Sequence, residues 1–209
     1  MPQVIFDFFD DSKKVVVWKI TENINELENL SKEKFFIPNE LNSWVENRKL
    51  QWLSSRILLK ELLPNIELIY SQEKGPIITK ENIFVSVSHT NFYSCAVVSQ
   101  NTQVGIDIEE ISNKAKKISK KFFHPSEFNF LANTLIDESS FYTMLWTIKE
   151  AIFKKFHYLH LIFSQEIILK SLNKNENFME AVVTVIINSL PEDVNTKIFK
   201  IDNHYLCVA

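Results

Sequence analysis

Glycine is almost missing from this chain: 209 residues contain two, Gly75 and Gly105. A backbone this poor in glycine has few places for left-handed turns or close backbone approaches, so both survivors are expected where the main chain passes near something. The G-x-S-x-G elbow of serine hydrolases is absent, and no loop suited to an oxyanion hole is evident. Cysteine is equally scarce. Cys95 in "YSCAVV" and Cys207 in "YLCVA" lie in apolar surroundings without C-x-x-C spacing. They read as small core residues of a protein in a reducing cytoplasm, with no disulfide or metal role. The N-terminus "MPQVIFDFFDDSKK" opens without a basic stretch and carries Asp7, Asp10 and Asp11, unlike a signal peptide. No apolar run reaches 18 residues, so no membrane span is expected. A net charge of −3 excludes a chain-wide electrostatic nucleic-acid binder.

What the chain does have is core material: 45% apolar residues, 17 of them phenylalanine. "QVIFDFF" and "KKVVVWKI" read as strands. From Ile24 to Leu63 the periodicity is helical, and Pro64 closes it. "IELIYSQEKGPIIT" predicts a strand running into a turn at Gly75-Pro76, and "IFVSVSHT" and "FYSCAVVSQ" predict paired strands. A strand over "QVGIDIEEI" follows. Beyond it lie a basic helix in "SNKAKKISKKFF", a turn at His124-Pro125, a helix from Ser126 and another around "SSFYTMLWTIKEAIFKKF". Strands over "SQEIILKSL", "NFMEAVVTVI", "TKIFKID" and "HYLCVA" complete the chain. The pattern is α+β, expected as two similar lobes, 1–103 and 104–209.

Three stretches could carry chemistry. In "QVGIDIEEI", alternation puts Asp107 and Glu109 on one face of a strand and predicts Ile106 and Ile108 on the core side. Paired oxygen ligands suit a hard divalent cation, although a solvated acidic edge explains D-x-E as well. In "WTIKEAIFKK", Trp146, Glu150 and Lys154 share a helical stripe, with Lys149 and Lys155 beside it. That is either a surface ion pair or a third metal carboxylate with a lysine for phosphate. In "SVSHT", Ser88 and His89 end a strand; both side chains can donate to oxyanions, and both also suit a satisfied turn.

In order, "SVSHT", "VGIDIE", "FFHPSEFNFL" and "WTIKEAIFKK" resemble the 4′-phosphopantetheinyl transferases, specifically the two-lobed surfactin-type group. "NRKLQWLSSRILLKELL" looks like that family's basic helix and "KGPI" like its adenine-side turn. The resemblance implies an active site between the lobes, with Mg²⁺ (Mn²⁺ as a substitute) held by Asp107, Glu109 and Glu150. The implied reaction transfers 4′-phosphopantetheine from coenzyme A to a serine of an apo acyl or peptidyl carrier protein, releasing 3′,5′-ADP. By the same resemblance, Glu150 or a water on the metal takes the serine proton, with Glu127 as an outside candidate. Lys154 lies near the pyrophosphate. Ser88 and His89 contact the 3′-phosphate, and Arg48, Arg56 and Lys74 serve the nucleotide side. Lys32 and Lys34 are weaker candidates there.

Carrier proteins of this class are acidic. Lys114, Lys116, Lys117, Lys120 and Lys121, followed by Phe122 and Phe123, would make a docking surface or simply a solvated basic helix. The family resemblance implies a cytoplasmic monomer. Two departures from the pattern stand out. Lysine precedes Gly75-Pro76 instead of separating them. The Gly-rich turn expected after Lys154 is replaced by "KKFHYLHLIF", which predicts a rebuilt turn or a longer helix. A catalytically weakened CoA- or carrier-binding homologue is therefore the alternative, and an unrelated metal-dependent phosphohydrolase is the third reading.

Overall fold

The computed structural model describes residues 3–9, 13–32, 41, 43–65, 68–71, 75–78, 83–157 and 159–209. The chain is α+β and divides into two compact units, Met1–Val104 and Gly105–Ala209.

In the first unit, β1 (Gln3–Phe9), β2 (Lys13–Lys19), β5 (Phe84–His89) and β6 (Tyr93–Ser99) form an antiparallel sheet in the order β1-β2-β6-β5. Strand β6 is central and buried along its whole length, as its continuous apolar and small-residue sequence requires. Helix α1 (Ile24–Ser31) starts at a capping box in which Asn23 and Glu26 satisfy each other's backbone N–H groups. Helix α2 (Glu46–Leu62) packs Leu53, Ile57 and Leu58 into the core with Trp18 and Ala96. It ends just before Pro64, whose ring disfavours helical geometry in the residue preceding it.

Strands β3 (Leu68–Ser71) and β4 (Gly75–Ile78) form a separate hairpin. Gly75 and Pro76 are not its turn. They pair with Ser71 and Tyr70 inside the ladder. A proline is tolerated in a two-stranded ribbon because each strand is an edge.

The second unit is a five-stranded antiparallel sheet, ordered β7-β11-β10-β9-β8. Its strands are β7 (Ile106–Glu110), β8 (Ile167–Lys174), β9 (Met179–Ile187), β10 (Leu190–Ile201) and β11 (His204–Val208). Helices α3 (Asn113–Ile118), α4 (Phe128–Asn133), α5 (Glu138–Lys155) and α6 (Phe163–Glu166) complete it. Strand β10 is longer than "TKIFKID" suggested. Its polar first half, from Leu190, pairs with β9 through a tight turn at Asn188 and Ser189, with φ of 51° and 67°. Neither residue is glycine, so the hairpin signal was weak.

Helix α5 covers the sheet. Asp137 caps it by accepting the Ser140 N–H at 3.0 Å, and Phe141, Met144, Leu145, Ile148 and Ile152 pack against Ile167, Val183, Val185 and Ile198. The helix lies nearest to β7 and β11. At that contact Gly105 is tied to the C-terminal residue: its N–H donates to the Ala209 carbonyl at 3.1 Å and its carbonyl accepts the Ala209 N–H at 2.9 Å. A Cβ on Gly105 would fall 1.8 Å from the Ala151 carbonyl oxygen and 2.7 Å from the Lys155 nitrogen. Both obstacles are helix main chain, which cannot rotate aside as a side chain can.

The replacement Gly105→Ala therefore has to push α5 off the strand. The expected cost is about 3 kcal/mol, the upper end of ordinary overpacking, read as a lower urea midpoint at unchanged m-value.

Candidate active site

Helix α5 presents Trp146, Glu150 and Lys154 as one stripe along β7. Two pairs of residues close across that gap. The Trp146 indole N–H donates to Glu109 Oε1 at 3.2 Å, and Lys154 Nζ lies 2.7 Å from Asp107 Oδ1. Asp107 is buried, while the Lys154 side chain keeps 28% of its surface in water. The pair is thus anchored at the acid and open at the ammonium end.

The carboxylates face the helix, which corrects the expected orientation of β7. The register sets Asp107 opposite Cys207 and Glu109 opposite Tyr205. Cys207 and Tyr205 belong to the core cluster under α5, whereas Ile106 and Ile108, though buried, do not. Alternation does put the two acids on one side, but hydrophobicity does not decide which side, because Ile106, Ile108 and Asp107 are all buried. Burial pushes the Cys207 thiol well above its usual range, in keeping with an inert core cysteine.

Electrostatically, Asp107, Glu109 and Glu150 form one group. Burial raises the Glu109 carboxyl, and the charge of Asp107 raises it further; the Trp146 hydrogen bond opposes both. Glu150 is pushed up to about 7, first by burial, then by the charge of Asp107, with Lys154 opposing and Glu109 adding a smaller push. Among the described residues no three His, Cys, Asp or Glu side chains stand as a ready metal-ligand cluster. Lys154 supplies a counter-charge to Asp107.

Lys149, one residue before Glu150, faces away from this stripe. It is completely buried and paired with Glu127 at 2.9 Å, and it donates to the carbonyls of Phe122 at 2.6 Å and Phe163 at 3.1 Å. Glu127 is equally buried and accepts the backbone N–H groups of His124 at 2.8 Å and Leu169 at 2.9 Å. Burial lowers the Lys149 ammonium, and the Glu127 carboxylate opposes that shift. Glu127 is therefore a structural anion and not a candidate base, and Lys149 is not part of the mixed-charge face expected from its sequence neighbours. The proline-led turn that begins at Pro125 explains the burial: its 3₁₀ geometry over Pro125–Glu127 rolls Glu127 inward.

The basic segment also differs from expectation. Lys114, Lys116, Lys117, Lys120 and Lys121 are exposed, and Lys116 pairs with Glu138. Phe122 is fully buried in the core and Phe123 packs on Tyr142. Phe122 therefore cannot serve as the apolar part of a docking surface, whereas Phe123 is half-buried; the exposed apolar side chains nearby in sequence are Ile118 and Phe128. The glycine-free segment after Lys154 is a rebuilt turn. Helix α5 stops at Lys155, the Leu159 N–H donates to the Phe156 carbonyl at 2.7 Å, and no described residue there has positive φ.

The remaining candidates belong to the first unit. Ser88 is buried and His89 exposed at the end of β5. The Arg48 and Arg56 guanidinium groups each lie 4.1 Å from a tryptophan ring four residues earlier, Trp44 and Trp52. Arg56 also donates to Ser55 Oγ at 3.0 Å. Lys32 caps α1 and donates to Asn29 at 2.9 Å. Lys34 and Lys74 lie outside the described residues.

Comparison with known proteins bears on the second unit above all. Residues 103–183 match the model of the 4′-phosphopantetheinyl transferase superfamily. The chain is 36% identical over 95 residues to the 4′-phosphopantetheinyl transferase gsp of Aneurinibacillus migulanus. That alignment takes in 44% of this chain and 39% of the relative, so the chain matches about two fifths of the relative's length. The resemblance carried by the D-x-E strand and the W-x-x-K-E helix is thus shown over the segment that contains both.

Two measurements follow from the ionisable groups. Removing one member of the dry pair, as in Lys149→Met or Glu127→Gln, strands the other charge and is expected to cost about 3–5 kcal/mol, with the double replacement costing less than either single one. Urea unfolding of all three proteins checks this. Glu150 has its folded pKa raised from 4.5 to about 7. Its contribution to stability is full below the unfolded value and is lost as pH rises through the folded one. In chelator, stability should decline between those pH values, and Glu150→Gln should flatten the decline.

Proposed function

We propose that the protein transfers 4′-phosphopantetheine from coenzyme A to a serine of an apo acyl or peptidyl carrier protein. One observation carries the reading: the acids and the lysine of two motifs that are far apart in sequence meet across β7 and α5, inside the segment that matches the transferase superfamily.

The donor set fits Mg²⁺. Asp107, Glu109 and Glu150 offer only hard oxygen donors, and three carboxylates against the Lys154 ammonium leave a formal charge of −2. Burial raises the Glu109 and Glu150 carboxyls first, and the neighbouring Asp107 charge raises them further. When bound, the ion neutralises and orients the phosphate under attack.

The protein's own residues do the rest. The carrier serine oxygen forms a bond to the β-phosphorus of coenzyme A as the P–O bond to the α-phosphate side breaks, and 3′,5′-ADP departs with that electron pair. Glu150 takes the serine proton. Lys154, open to water on one side, turns its ammonium to the charge growing on the leaving pyrophosphate oxygen. Ser88 and His89 donate to the 3′-phosphate, with Arg48, Arg56 and Lys74 on the nucleotide side. The exposed lysines of 114–121 steer an acidic carrier towards the site. The chain acts as a cytoplasmic monomer of two lobes, 1–103 and 104–209.

A second reading is a homologue that binds coenzyme A or the carrier with little turnover. It is favoured by the absence of glycine from the segment after Lys154, where the family pattern has a Gly-rich turn.

Incubation with fluorescent coenzyme A, Mg²⁺ and a panel of apo carrier proteins separates these readings. Covalent labelling of a carrier is expected, and Asp107→Ala should abolish it in a folded protein. Coenzyme A binding with no carrier labelled would favour the weakened homologue, and nucleotide release without any carrier would mark a phosphohydrolase.

A further inference from the structure

We propose that Phe163 and Trp146 form a clamp that fixes the Glu109 carboxylate, which makes Trp146 a positioning residue and gives the glycine-free segment after α5 a function of its own. The inference rests on the reading of Glu109 as part of the transferase site.

The indole of Trp146 has a single donor, so its aim depends entirely on how the ring is held. Two aromatic rings hold it. Phe163 stacks on it, with centroids 5.5 Å apart and planes 24° apart, and Phe122 meets it edge-on at 5.1 Å and 63°. Phe153 supports Phe163 from behind at 5.1 Å. The indole N–H then reaches Glu109 Oε1 at 3.2 Å.

The clamp is set by the buried lysine. Lys149 lies three residues beyond Trp146 on α5, and its ammonium donates to the backbone carbonyls of both clamping residues, Phe122 at 2.6 Å and Phe163 at 3.1 Å. Its charge is balanced by Glu127 in the same dry pocket. One cation therefore fixes the main chain on both sides of the tryptophan ring. Backbone bonds from Leu159 to Phe156 and from Leu161 to Leu159 precede Phe163, the first residue of α6. A segment without glycine thus delivers a ring where the family pattern has a flexible loop.

The test uses the whole protein labelled with ¹⁵N. Its four tryptophans give four indole signals, and Trp146→Phe assigns the one of interest. In Phe163→Leu the Trp146 indole proton should exchange faster with water while the other three stay as they were. Phe163→Tyr, which keeps the ring, should restore the slow exchange. Binding of Mn²⁺, followed by electron paramagnetic resonance without any carrier, should weaken about tenfold in Phe163→Leu and in Trp146→Phe, the range typical for loss of a group that orients a ligand. Trp146→Phe keeps the stacked ring and so guards against a mere folding defect. Unchanged Trp146 exchange in Phe163→Leu, or wild-type Mn²⁺ affinity in Trp146→Phe, overturns the proposal. A wild-type protein that labels no carrier would overturn the transferase reading instead, and the indole exchange would still decide the clamp.

Discussion

The close approach of Gly105 to the Ala151 carbonyl is the constraint on which the second unit depends. A helix normally rests on a sheet through side chains, at about 10 Å between the packed layers. Here the main chain of α5 comes down onto the residue before β7, and the space a Cβ would need is taken by the helix itself. That proximity lets residues two turns apart on α5 reach alternate residues on the helix-facing side of the strand: Trp146 to Glu109 and Lys154 to Asp107. Gly105 is also bound at both its amide and its carbonyl to Ala209, so the strand cannot retreat from the helix without losing its edge in the sheet. The acids are near the lysine because one residue has no side chain.

Two lysines on the same helix show how position decides what a charge is for. Lys149 and Lys154 both pair with a carboxylate at hydrogen-bond distance. Lys149 is dry, and its ammonium is saturated by one carboxylate and two carbonyls, so it can only hold the backbone in place. Lys154 keeps part of its side chain in water, which leaves its ammonium head within reach of a ligand oxygen. Buried ion pairs contribute little net stability, yet they tolerate no wrong geometry. That intolerance suits a residue whose two carbonyl contacts frame Trp146.

Much of this was legible in the sequence, and the gaps have definite causes. The strands, α2 and α5 followed from period and from Pro64. The stripe of Trp146, Glu150 and Lys154 followed from helical spacing, and it does face the D-x-E strand. The Trp146–Glu109 bond could have been sought on the same ground, since an indole at the head of a charged stripe needs an acceptor. The face of β7 could not be read, because alternation says which residues share a side but not which side a helix covers. Lys149 and Glu127 look like surface charges in one dimension; only the 3₁₀ turn at Pro125 and the path of α5 turn them inward. The lysines before Phe122 suggest a surface position, yet a phenylalanine at the end of an amphipathic segment belongs more often to the core, and Phe122 is fully buried.

The scarcity of glycine, which at first marked only two positions, also explains how the rest of the chain turns. Where a left-handed residue is needed, the second unit uses Asn188, Ser189 and Asp202, polar side chains that bear positive φ at modest cost. After α5 it avoids the left-handed region among the described residues and closes through backbone bonds at Leu159 and Leu161 instead. Such a turn is stiffer than a glycine loop, because each of its residues has fewer conformations to explore. Phe163 follows this segment and stacks on Trp146. The glycine-free segment at the end of the helix thus leads to the ring that stacks on Trp146, while Gly105 leaves the room that α5 needs beside β7.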